Sequence, residues 1–154
     1  MKTEVMMKIQ LSIPEAQYEQ VKKELEEHGI EVSDRAEYVL NMRGQYSGWL
    51  SVRKDREQTH IPVSSVIYIE SLGHDVLVHT AEGVYNSSDR LVQLEKTLDP
   101  ALFLRVSNSV IIAKKHVKRI TAAFTRKFIL TMSDGSIADV TRSYYDIFRQ
   151  EFGI

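Results

Sequence analysis

From residue 66 to residue 140 the chain is built of short β-branched and aromatic segments, each closed off by turn residues, and this rhythm constrains the fold most. The segments are 66–70, 76–80, 83–86, 103–106, 110–112, 117–122, 128–132 and 137–140. Branched and aromatic side chains fit a half-buried pleated surface, while Gly, Asn, Asp and Ser supply the reversals between strands. Two helices interrupt the series. Ser88 is positioned to cap one carrying Leu91, Leu94 and Leu98, and Thr141 to cap a terminal one with Tyr145, Phe148 and Phe152 as its apolar stripe. A mainly β architecture follows.

The first third of the chain reads differently. Met7, Ile9, Leu11 and Ile13 alternate with polar residues as one face of a strand. Ser12 and Glu15 have capping-box spacing, Pro14 suits a first helical turn, and Gly29 suits the C′ position. Between them Tyr18, Val21, Leu25 and His28 recur at helical spacing. Two β-prone pieces, 37–42 and 49–53, follow, separated by Gly44 and Gly48. Residues 1–57 therefore read as a small β-α-β-β unit and residues 58–154 as a second domain. The charged run Arg53-Lys54-Asp55-Arg56-Glu57-Gln58 is the expected boundary.

Composition removes several function classes. The chain has 154 residues and no cysteine, so thiol nucleophiles, Cys-based zinc sites and disulfides are absent. No apolar run approaches the roughly 20 residues needed to cross a bilayer, and the start lacks a signal peptide's apolar block. A cytoplasmic protein is expected. Charge is unevenly placed: residues 1–60 hold nine Lys/Arg against eleven Asp/Glu, but residues 105–142 hold eight against two. A basic segment in a nearly neutral chain suits a polyanion partner, or a solvated face balanced elsewhere in the fold.

Catalytic motifs are missing: no Gly-rich phosphate loop, no His-Glu-x-x-His, no Gly-x-Ser-x-Gly. His74 and His79 are an odd number of residues apart, which puts them on opposite strand faces, and His79 reads as structural. No catalytic residue, cofactor or metal site is expected. Three polar features stand out instead. His74 tips the turn Ser71-Leu72-Gly73-His74-Asp75, the Ser107-Asn108-Ser109 insert divides two apolar pieces, and Arg142 falls between the last strand and the terminal helix. Trp49 and the aromatics Tyr68, Phe103, Phe124, Phe128, Tyr145 and Phe148 are expected in the core. That leaves little for stacking on unpaired bases.

Four pieces in order, Val66-Ile67-Tyr68-Ile69-Glu70, the helical stretch from Leu91 to Leu98, Phe103-Leu104-Arg105-Val106-Ser107-Asn108-Ser109 and Val140-Thr141-Arg142-Ser143-Tyr144, resemble the LytTR DNA-binding domain. The resemblance runs from about residue 61 to residue 154. It implies an elongated fold of several small antiparallel sheets with short helices, whose loops enter successive major grooves on one face of double-stranded DNA. Carried over residue by residue, it makes His74, Asn108 and Arg142 base-contacting, and Ser107, Lys114 and Lys115 contacts to the DNA backbone. It further implies a bacterial transcriptional regulator acting on direct-repeat sites. Residues 1–57 are too short for a receiver domain and are expected to mediate homodimerisation or to bind a regulatory partner such as a membrane protein. The rival readings are a ligand- or protein-binding β module with an incidental basic face, and an RNA-binding module.

Overall fold

A computed structural model describes residues 6–42 and 46–154. Gly44, one of the two glycines read above as separators, lies outside them. The chain divides into two compact units between Tyr46 and Ser47.

In the first unit, β1 (Met7–Ser12) leads to helix α1 (Glu15–Glu27), then β2 (Ile30–Val32) and β3 (Tyr38–Asn41). β1 is central and parallel to both neighbours, pairing Met7 with Ile30 and Leu11 with Leu40. The β-α-β-β order holds, but with a different membership. The short segment Ile30–Val32 supplies a strand, and 49–54 belongs to the second unit. Tyr18, Val21 and Leu25 form the half-buried stripe of α1 as expected; His28 is exposed, its Nδ1–H donating to the Glu24 carbonyl at 2.8 Å. The capping box does not form. Ser12 is held in β1 opposite Asn41, and the N-cap of α1 is Pro14. Gly29, with φ of +78°, ends the helix in the left-handed region. None of the described residues up to Met42 is buried.

The second unit begins with β4 (Trp49–Lys54) and β5 (Glu57–Pro62). The charged run expected to divide the chain is the tip of this hairpin. Lys54 pairs with Glu57, and the intervening Asp55 and Arg56 have φ of +51° and +67°, the backbone of a tight two-residue reversal. β5 escapes sequence reading because Glu57, Gln58, Thr59 and His60 are all polar and exposed on an edge.

All eight β segments are present. They form β6 (Val66–Leu72), β7 (Asp75–Thr80), β8 (Gly83–Ser87), β9 (Phe103–Ser107), β10 (Val110–Ala113), β11 (Val117–Ala123), β12 (Lys127–Met132) and β13 (Ile137–Val140). A seven-stranded antiparallel sheet has the order β5-β4-β8-β7-β6-β10-β9, and a three-stranded one the order β11-β12-β13. Helices α2 (Leu91–Thr97) and α3 (Tyr145–Phe152) complete the unit. Ser88 does not cap α2. The N-cap is Arg90, whose N–H donates to Gln93 Oε1 at 2.9 Å. Thr141 likewise makes no side-chain cap; its carbonyl accepts from Tyr144 N–H at 2.9 Å in a 3-10 turn (Arg142–Tyr144) that precedes α3.

Two cores flank the large sheet. Leu50, Val52, Val66, Ile69, Val78 and Ile111 pack with Leu91 and Leu94 of α2. Ile67, Val106, Ile112, Leu130, Val140 and Phe148 join the sheet to the three-stranded sheet and α3. β6 feeds both cores, which is why its apolar run is unbroken rather than alternating. A register shift between Val66 and Tyr68 turns Ile67 and Tyr68 into the same core.

Candidate nucleic-acid interface

The Ser-Asn-Ser insert is the tip of the β9–β10 hairpin. Ser107 pairs with Val110, leaving Asn108 and Ser109 as a two-residue turn, and the pairing skips Val106 as a bulge. Arg105 fixes this tip from behind. Its Nε–H donates to the Ser107 carbonyl at 3.0 Å and its Nη2–H to the Asn108 carbonyl at 2.6 Å, while Nη1 pairs with Glu95 of α2 at 2.8 Å. The guanidinium therefore serves the loop. The Asn108 side chain projects into solvent.

His74 occupies the tip of the β6–β7 hairpin, where Leu72 pairs with Asp75 and Gly73 takes φ of +60°. A glycine at the first of two turn positions is what a type II′ reversal requires. His74 is exposed. The two tips are joined by the backbone, since Ser71 N–H donates to the Ser109 carbonyl at 2.8 Å.

Arg142 reaches the same end of the sheet from β13. Thr141 N–H donates to the Val106 carbonyl at 3.0 Å, tying the β13 exit to the bulge of β9. Arg142 is exposed and in no ion pair among the described residues. With Asn108, Ser109, Asp139 and Ser143 it lines an open hollow of about 540 Å³. Tyr144 closes the arrangement: its hydroxyl donates to Asn108 Oδ1 at 3.2 Å. Asn108 and Arg142, far apart in sequence, thus line one hollow, and the His74 hairpin is tied to it through Ser71 and Ser109.

The expected backbone contacts are placed differently. Ser107 is only 6% exposed, and its Oγ accepts from Ser109 N–H at 3.2 Å, so its hydroxyl stabilises the turn from inside. Lys114 and Lys115 lie at the opposite end of β10 from Asn108, four residues or roughly 13 Å along the strand. Lys114 is ion-paired with Glu151 at 2.6 Å, whereas Lys115 is exposed. Arg105, Lys114 and Arg126 all have carboxylate partners. Of the eight Lys/Arg in residues 105–142, those left exposed without one among the described residues are Lys115, Lys118, Arg119 and Arg142, so the sequence count overstates the free positive charge of this segment.

Other singled-out residues have structural partners. His79 Nε2 lies 2.8 Å from Glu70 Oε1, and its ring stacks on Tyr68 at 4.1 Å. Burial pushes the Tyr68 phenol above its ordinary pKa, keeping it neutral. Two aromatics depart from expectation: Trp49 is 60% exposed and Phe124, at the β11–β12 tip, is 95% exposed. Sequence reading missed Arg105 and Tyr144 as loop-holding residues. Tyr144 meets Asn108 from 36 residues away, which no local spacing signals, whereas Arg105 grips carbonyls only two and three residues ahead once the hairpin has formed.

A family model for the LytTr DNA-binding domain matches residues 56–153. The chain belongs to the LytTR DNA-binding domain family. Its fold matches a solved LytTr DNA-binding domain of a Bacillus cereus response regulator with a TM-score of 0.67 and 25% identity, covering 70% of this chain and 99% of that one. The transcriptional regulatory protein LytR of Staphylococcus aureus strain MW2 is 26% identical over 74% of this chain and 46% of its own length. The sensory transduction protein LytT of Bacillus anthracis is 33% identical over 54% of this chain and 34% of its own. The chain spans less than half the length of either regulator. Within the LytTR domain the four recognised pieces now have physical roles. Tyr-Ile-Glu builds the doubly buried β6 and its His79 bond, the Leu91 stretch is α2, Phe-x-Arg anchors and clamps the Asn108 tip, and Thr-Arg-Ser-Tyr forms the turn carrying Arg142.

Proposed function

We propose that the chain is a cytoplasmic, sequence-specific transcriptional regulator whose LytTR domain reads duplex DNA with loops, placing His74, Asn108 and Arg142 against base edges in successive major grooves. The observation that carries this reading is the shared rim: Asn108 and the unpaired Arg142 open into one hollow, each on backbone pinned by hydrogen bonds. Pre-positioned polar groups discriminate bases well. Arg can fork onto guanine O6 and N7, Asn can pair with adenine N6 and N7, and neutral His can donate or accept. Neither α2 nor α3 acts as a recognition helix.

Lys115, and with it Lys118 and Arg119, supplies phosphate contacts, which position the domain and release counterions. Lys115→Ala should weaken binding to all duplexes alike and reduce the slope of log affinity against log salt by about 1. Titrations at several salt concentrations measure this. A loss confined to one base pair would contradict the assigned role.

The N-terminal unit pairs two copies of the chain on direct-repeat sites. What supports a second copy is the edge of β3, which no other described strand covers, where Tyr38, Val39 and Leu40 are exposed and no residue of the strand is charged. An uncovered apolar edge strand is a template for strand pairing. Val39→Lys should shift the full chain towards monomer in sedimentation equilibrium. An unchanged association state would remove this part of the proposal.

A further inference from the structure

We infer that Tyr144 is a positioning residue for base reading, holding the Asn108 side chain in place at the tip before it meets the duplex. The inference rests on the DNA-reading role proposed for Asn108. The Asn108 side chain can turn about its bonds, and the Tyr144 hydroxyl, which both donates and accepts, can tether its amide in place. An exposed side chain that is free to turn must be ordered when it meets a base, at a cost in affinity for that base. Asn108 is not free. Its carbonyl oxygen Oδ1 accepts the Tyr144 hydroxyl at 3.2 Å, while its backbone carbonyl is gripped by Arg105 at 2.6 Å. One contact fixes the backbone of the tip and the other fixes the side chain on it.

Tyr144 is itself well anchored. Its ring packs against the core around Phe148, and its N–H closes the 3-10 turn onto the Thr141 carbonyl at 2.9 Å. That turn begins at Arg142. Tyr144 therefore links two reading points: it belongs to the segment that aims Arg142 and bonds the side chain of Asn108. A base that matches Asn108 in its held position gains its hydrogen bonds without first ordering the side chain. With the tether gone, the amide must be ordered on binding, and the preference falls.

The test uses the full chain and removes only the hydroxyl. Tyr144→Phe keeps the ring in its packed position, so the thermal midpoint should stay close to that of the wild type. Base preference is read from relative affinities for duplexes carrying each of the four base pairs at the Asn108-contacted position, located as the one position where Asn108→Ala loses discrimination. In Tyr144→Phe, preference at that position should drop about two- to tenfold, the range of one hydrogen bond, with preferences elsewhere unchanged. Combined with Asn108→Ala, Tyr144→Phe should have no further effect, because its action runs through the amide. Equal preferences in wild type and Tyr144→Phe would overturn the inference, as would additive effects in the double variant. If the wild type itself selects no sequence, or Asn108→Ala changes no position, the reading of Asn108 as a base contact fails instead.

Discussion

Phe148→Ala should lower the stability of the LytTR domain by about 3–5 kcal/mol, the largest effect expected of any single truncation in it. Phe148 is wholly buried on α3, with its ring 5.2 Å from Phe128 and 4.4 Å from Phe152. Its neighbours come from the large sheet, the three-stranded sheet and α3 together, so no single element can move in to refill the space. The loss combines transfer energy with a residual cavity, in an interior packed as tightly as an organic crystal. Function should suffer as well, because α3 begins directly after the Arg142 turn and holds it against the core. Urea unfolding followed by circular dichroism measures the first effect, and duplex affinity in the folded range the second. A destabilisation below about 1 kcal/mol would mean that Phe148 is not the keystone of this core.

Arg142→Ala should cost about 1–3 kcal/mol of affinity at the preferred site, or roughly 5- to 150-fold, and relax the preference at one base pair. The size follows from what the guanidinium lacks in the free protein. It is exposed and has no carboxylate partner among the described residues, so its donors are available to a base edge at no loss of an ion pair there. Arg105 is the useful contrast. Its guanidinium is bonded to Ser107, Asn108 and Glu95, so its removal should loosen the tip instead of deleting one contact. Arg142→Lys separates charge from geometry. An ammonium keeps the phosphate attraction but not the fork, so discrimination should fall while the salt slope stays unchanged. A uniform loss across all sequences after Arg142→Ala would reassign Arg142 to the phosphates.

Most of the LytTR domain could be read from the sequence because its strands are short, β-branched and marked off by turn residues, which are local signals. The eight strand segments and both helices are where the residue pattern put them. What failed were features set at long range. β5 is polar on an edge strand and has no pattern of its own; it exists because β4 pairs with it. The run from Arg53 to Gln58 has linker composition, yet two left-handed residues turn it into a hairpin tip. Ser12 and Ser88 had cap spacing, but strand pairing and a Gln93 side chain took over those helix starts. The same division runs through the site. Exposed His74, Asn108 and Arg142 were legible as polar residues at turns. The tether from Tyr144 and the neutralisation of Lys114 by Glu151 depend on partners remote in sequence, while the burial of Ser107 and the grip of Arg105 on the carbonyls two and three residues ahead appear only once the hairpin has folded. Unit 1 was the least legible, because its strands bury nothing deeply and its amphipathic signal is correspondingly weak.

Selection of the full chain on a randomised duplex library at two salt concentrations, with affinities then measured for the selected site, tests the central claim most directly. The account predicts that the wild type enriches a defined site, and that His74→Ala, Asn108→Ala and Arg142→Ala each lose preference at a different position. Lys115→Ala should keep the same site at lower affinity. No enriched sequence, with the wild type and all three alanine variants binding alike, would contradict the assignment of these loops as the reading surface.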